Sequence, residues 1–155
     1  MKLHLKIFAA LLALGVSFVG TAAQEKKIKR EQLPPEVEKT VARESEGATI
    51  KGFASEIEHG QKFYEASLVV NGHTKDILID RKGNIVEVEE QVAMDSLPAA
   101  VQDSLKKMAG MGMITVIESL TKNGQLVAYE AQVKHGKKRS EIQVGPNGEK
   151  LKRPE

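Results

Sequence analysis

"KFYEASLVVNGHTKDILIDRKGNIVEVEE", Lys62–Glu90, is the stretch whose reading decides the fold. Apolar and polar residues alternate along it, which is the period of extended chain, and Asn71-Gly72 and Lys82-Gly83 interrupt the alternation. Such Gly-containing pairs reach the positive φ that tight hairpin turns need. Strands are expected at Thr49–Glu58, Lys62–Val70, Lys75–Asp80 and Asn84–Glu90, with His59-Gly60 as the first turn. Turns this short join antiparallel neighbours only. Tyr64, Ala66, Leu68 and Val70 then share one face of their strand, and Glu65 and Ser67 share the other.

Upstream, Leu33-Pro34-Pro35 opens a helix, since proline is tolerated in a first turn whose amides lack partners. Val37 and Val41 recur at helical spacing, Glu36 and Glu38 come early, Lys39 and Arg43 late, and Gly47 is the stop. The unit reads as one helix followed by a four-stranded meander.

The pattern then returns. Tyr64-Glu65-Ala66 is answered by Tyr129-Glu130-Ala131, and these are the two tyrosines of the chain. Leu33–Val37 is answered by Leu97–Val101, and Asn71–Val86 by His135–Leu151, with slips confined to Gly-containing turns. Matches in one order at one spacing are the mark of duplication. The second helix is capped by Asp95 or Ser96, entered at Pro98, striped by Val101, Leu105 and Met108, and ended by Gly110 and Gly112. Its methionines read as core filler. Strands are expected at Met113–Thr121, Leu126–Lys134, Ser140–Val144 and Glu149–Arg153. The fold class expected is α+β, in two tandem repeats of 28–92 and 93–155, each one helix followed by a four-stranded antiparallel sheet. Each tyrosine lies under a helix, and each glutamate on a face left open.

Residues 1–23 read as a cleaved signal peptide: Lys2 and Lys6, an apolar run Ile7–Gly20, then Thr21-Ala22-Ala23. The run is short of the ~20 residues a membrane-spanning helix needs. The chain as a whole has 23 Lys+Arg against 21 Asp+Glu; without the leader's two lysines the counts are equal. A neutral balance argues against nucleic acid as a partner. With no cysteine, no disulfide supports the small core. The location expected is exported, periplasmic or extracellular, with no stable membrane insertion once the leader is gone.

The helix entered through "LP", the strand with "YE" and the closing hairpin "IDRKGNIVEVE" resemble the PepSY-like family, small exported bacterial domains that are themselves similar to the beta-lactamase inhibitory protein. The resemblance spans nearly all of 28–155. It implies a beta-lactamase-inhibitory-protein-like fold and a non-catalytic role, in which the sheet grips another protein such as a peptidase or other envelope enzyme. The inhibitory protein has disulfides, whereas this chain has none. Beyond the leader the aromatics are only Phe53, Phe63, Tyr64 and Tyr129, so few anchors remain for a tight hot spot. Both departures weigh against beta-lactamase itself as the target.

No catalytic constellation is visible. There is no Cys and no Gly-x-Ser-x-Gly setting for a nucleophile, so no enzyme activity and no cofactor are expected. His59, His73 and His135 sit in expected turns, and the spacing of His59 and His73 fits no metal site. Asp80–Asn84 lacks the alternating ligands and terminal Glu of a calcium loop and reads as a turn. The basic stretches Glu25–Glu31 and His135–Arg139 could touch anionic lipid or polymer, though a solvated tail and hairpin is the plainer reading. The residues expected to meet a partner are those of the open face: Glu65, Ser67, Glu130, Gln132, Lys134, Glu141 and Gln143. The function expected is an exported protein-binding module acting on an envelope or extracellular protein. The alternative is an envelope protein that binds a small ligand or metal ion.

Overall fold

The computed structural model of the chain describes residues 25–58 and 60–155. The expected leader, residues 1–23, and the turn residue His59 lie outside the described residues. Two helices, α1 (Pro35–Glu44) and α2 (Ala99–Ala109), lie against a single sheet. Its eight strands are β1 (Lys26–Ile28), β2 (Thr49–Glu58), β3 (Gln61–Val70), β4 (His73–Asp80), β5 (Ile85–Gln91), β6 (Met113–Lys122), β7 (Gln125–His135) and β8 (Lys138–Val144). They follow one another in chain order across the sheet, every neighbour antiparallel. No helix among the described residues is long and apolar enough to cross a membrane.

This corrects the expected fold class of two tandem helix-plus-four-strand units. The sheet is continuous, because β5 pairs with β6 from Glu87↔Lys122 to Gln91↔Glu118. The hydrogen bonds Asn123 N to Val86 O and Val92 N to Ile117 O, 2.9 Å each, extend that pairing at both ends. Two separate sheets would each have left an edge of unpaired N–H and C=O groups here, and joining the edges satisfies both. A short strand, β1, also precedes α1 and occupies one outer edge on β2. At the other edge the expected strand Glu149–Arg153 does not form; a lone bridge, Val144↔Lys150, stands in its place. That segment is short, carries Lys150, Lys152 and Arg153, and runs into Pro154, which has no amide to give a ladder.

Within this frame, seven of the expected strands form with bounds within two residues. Proline precedes or opens both helices, as read from the sequence, but neither helix has a side-chain cap at its start; Asp95 and Ser96 lie in a separate 3-10 turn, Met94–Ser96. Gly110 follows α2 at φ 57°, the positive angle expected of a helix stop. Under α1, Val37 and Val41 pack with Tyr64, Ala66, Leu68, Ile77 and Ile79. Under α2, Val101 and Leu105 pack with Ile117, Ala131 and Val144, with Tyr129 at the margin. Each fully buried aliphatic side chain contributes about 1.5–3 kcal/mol.

The same lock fastens each helix to the sheet. Thr40 Oγ1 donates to Gly83 O at 2.7 Å, and Ser104 Oγ donates to Gly148 O at 2.6 Å. The glycines sit in turns at φ 87° and 81°, tight against the backbone of the first helical turn, at Glu36 and Ala100 respectively. A Cβ on Gly83 would stand 2.6 Å from Glu36 O. We therefore expect Gly83→Ala and Gly148→Ala each to destabilise the protein by at least ~1–3 kcal/mol, from backbone strain alone. Thr40→Val, which leaves Gly83 O without its donor, should cost about 1–3 kcal/mol. Denaturant melts of the three variants check this; a wild-type midpoint would show that the lock carries no weight.

Candidate functional site

Strand alternation puts the helix-packed residues on one face, and the register fixes what stands on the other. One row across that second face reads Ala54, Glu65, Leu78, Glu87, Lys122. The next reads Ser67, Asp76, Glu89, Leu120, Ala128. A third reads Gln91, Glu118, Glu130, Gln143, and Gln132 stands opposite Glu141 beyond it. Glu56 lies opposite Phe63 toward the β2 edge. The face is a field of carboxylates set among Ala54, Phe63, Leu78, Leu120 and Ala128, all buried.

No helix packs on this face, yet its centre is not wet. Glu87 is 2% exposed and Glu89 8%. The side chains of neighbouring strands wall in the centre of the face, and Glu56 and Glu58 on β2 act electrostatically on Glu87 of β5.

Burial without partners dominates the electrostatics. Neither carboxylate oxygen of Glu87 has a hydrogen bond, nor has Oε2 of Glu89 or Oε1 of Glu56. Lys122 Nζ stands 3.7 Å from Glu87 Oε2, close enough to attract but beyond hydrogen-bond reach. Loss of hydration favours the neutral acid, and neighbouring carboxylates add to it. Burial, outweighing Lys122, pushes Glu87 up to about 8. Burial together with Glu87, Glu130, Glu118 and Asp76 pushes Glu89 up to about 10. Burial first, then carboxylate neighbours, takes Glu56 and Glu65 to about 7. Glu130 also reaches about 7 by burial, against the hydrogen bond it accepts from Gln143. Asp76, Glu118 and Glu141 are raised as well, chiefly by burial.

Of the residues expected from sequence, Glu65, Ser67, Glu130, Gln132, Glu141 and Gln143 all stand on this face. Ser67 Oγ donates to Glu65 Oε1 at 3.0 Å, and Gln143 Nε2 to Glu130 Oε2 at 2.5 Å. Lys134 shares this face as well, one alternation beyond Gln132 on β7, exposed and opposite Arg139. Sequence reasoning missed Glu56, Asp76, Glu87, Glu89 and Glu118. The alternation in Ile85–Gln91, with Val88 turned inward and Glu87 and Glu89 outward, was the available signal. Among the described residues no three His, Asp or Glu side chains gather as a metal-holding group. The acids are spread over several strands rather than focused on one point.

A pH dependence follows. Each raised acid keeps its proton in the folded state where the unfolded chain has already lost it. This contribution to stability is complete below about pH 4.5 and is lost as pH rises through the folded values, about 7 for Glu56, Glu65 and Glu130 and about 8 for Glu87. The melting temperature at pH 5 should exceed that at pH 8 by roughly 4 °C or more, the shift that about 1 kcal/mol produces in a chain of this size. Glu87→Gln should leave the pH 5 value almost unchanged and narrow the gap. Melting curves that rise between pH 5 and pH 8 would refute the unpaired acids.

No family model and no curated protein matches the chain. Solved structures do. A DUF2874 family protein from Bacteroides ovatus superposes with a TM-score of 0.60 at 20% identity, covering 77% of this chain and 85% of that one. A Bacteroides eggerthii protein, named as a periplasmic protein, gives 0.63 at 20%, covering 77% and 86%. A BLIP-like protein from Bacteroides fragilis gives 0.56 at 20%, covering 76% and 83%. At these identities the likeness concerns the fold, and this chain has a BLIP-like fold.

Proposed function

We propose that the protein is an exported, non-enzymatic binding module whose acid-lined sheet face holds a basic segment of an envelope protein, such as a peptidase or other envelope enzyme. The observation that carries this reading is Glu87, almost wholly buried in the middle of a field of raised acids, with neither carboxylate oxygen within hydrogen-bond distance of a donor among the described residues and only Lys122, 3.7 Å away, to offset its charge. A buried carboxylate oxygen without a donor costs stability, so its presence in the middle of this face points to a ligand that supplies the missing donors. Lys and Arg side chains do so and favour the ionised form. The spread of the acids suits several cations along a chain better than a single metal ion. The leader and the PepSY-like motifs support export, as does the periplasmic name of one structural neighbour. Binding of a metal ion or small ligand is the second reading.

The test is capture from envelope extract with wild type and a Glu65→Arg/Glu130→Arg variant, alongside fluorescence titration with a lysine-rich peptide. Wild type should capture a partner that the variant loses. Peptide affinity should rise from pH 5 to pH 8 as Glu56, Glu65, Glu130 and Glu87 become able to ionise. Equal capture by both proteins, or peptide affinity indifferent to pH, would remove the acid face from the interaction. A specific thermal shift with a divalent cation and none with the peptide would favour the second reading.

A further inference from the structure

The methionines expected as core filler are on the surface. Met108 is 40% exposed, Met113 59%, and Met111 fully. They fall within six residues, at the end of α2 and the start of β6. The topology brings a basic hairpin to the same place. Met113 pairs with Lys134, Lys134 with Arg139, and His135 with Lys138 across the β7–β8 turn. Between the methionines, Gly112 lies directly against the His135 ring: a Cβ there would be 2.5 Å from Nε2. Gly112 N also donates to Ala109 O at 2.8 Å, holding the loop to the helix end. Helix end, loop and hairpin form one tip.

Lys106, Lys107, Lys134, Lys137, Lys138 and Arg139 are all exposed at this tip. None of the six forms an ion pair or side-chain hydrogen bond among the described residues, a property they share with Lys26, Lys27, Lys51, Arg81, Lys150 and Lys152; what sets the tip apart is that six such cations adjoin three exposed methionines. The nearest acids along these segments, Asp103 and Glu141, stand three residues before Lys106 and two beyond Arg139. The remaining large exposed apolar residues, Ile57 and Leu126, lie beside other hairpins.

We propose that this tip docks the protein on an anionic lipid bilayer, with Met111 and its two neighbours entering the headgroup boundary and the six cations on the lipid phosphates. Charge complementarity identifies the partner's sign, and side-chain chemistry identifies its kind. Protein interfaces are enriched in methionine but depleted in lysine, and their anchors are Trp, Tyr or Arg in fitted pockets. Here five of the six cations are lysines, and the apolar groups are flexible thioethers, Met108 at the end of α2, Met111 in the loop and Met113 at the start of β6. Unbranched apolar side chains ringed by lysine suit a fluid, negatively charged surface. The proposal uses none of the raised acids, although the row Met113, Lys134, Arg139 lies on their face one step beyond Gln132 and Glu141.

The test is co-sedimentation of the exported protein, purified from the envelope fraction, with phosphatidylcholine vesicles with and without phosphatidylglycerol. Wild type and variants share the same N-terminus, so differences between them report on the tip alone. Wild type should bind the anionic vesicles, release them as salt is raised, and ignore the neutral ones. Lys137→Gln/Lys138→Gln should weaken binding roughly 25-fold, at about five-fold for each charge. Met111→Ser, at a fully exposed position, should weaken it about ten-fold without changing the melting temperature. Equal binding to both vesicle types, or variants that bind like wild type, would overturn the proposal. So would release by millimolar-range inorganic phosphate at constant ionic strength, which would make the tip an anion site instead.

Discussion

The pairing of β5 with β6 is the constraint on which the rest of the molecule depends. Each half of the chain can bury its helix on its own strands, and the two apolar clusters under α1 and α2 are separate. The β5–β6 ladder joins them into one sheet. It also brings Glu87 and Glu89 from the first half beside Leu120 and Lys122 from the second, with Glu118 completing the group. The acid field therefore runs across the seam, with Glu56, Glu65, Asp76, Glu87 and Glu89 from the first half and Glu118, Glu130 and Glu141 from the second.

Charge is sorted by this architecture in a way composition conceals. Outside the leader the chain carries equal numbers of acidic and basic side chains, so net charge by itself says little about partners. Folding collects raised carboxylates on one face and sets six exposed cations beside three exposed methionines at one tip. The acids suffer most, because the fold removes water from Glu87 and Glu89 while leaving both oxygens of Glu87 and Oε2 of Glu89 without a hydrogen bond among the described residues. Such frustration is expected where function sets the residue and the fold tolerates the cost.

Much of the local structure could be read from residues. Thr49–Glu58 forms with the bounds expected of it, the helices begin at their prolines, and Tyr64 lies in the core beneath α1. Glu65 and Glu130 stand on the face that period-two alternation assigns them. Met108 shows where periodicity misleads. At helical spacing it seemed to continue the stripe of Val101 and Leu105, but the buried line runs on to Ala109, and Met108 turns outward in the last turn. The segment Glu149–Arg153 misleads similarly, since its likeness to Asn84–Glu90 does not provide a strand partner on its far side.

Alternation, turn glycines and helix-entry prolines act over a few residues, so the sequence alone determined which segments extend, which coil, and which face of each strand turns inward. Whether β5 and β6 stay as edges or pair, which acids lose their water, and which lysines find a carboxylate are long-range matters. They depend on segments some 30 residues apart meeting in one register. That register turned the outward alternation of Glu87 and Glu89 into burial without partners, and set three methionines beside a lysine hairpin. Only the tertiary structure could decide this, because hydration and pairing belong to the assembled surface and not to any stretch of chain.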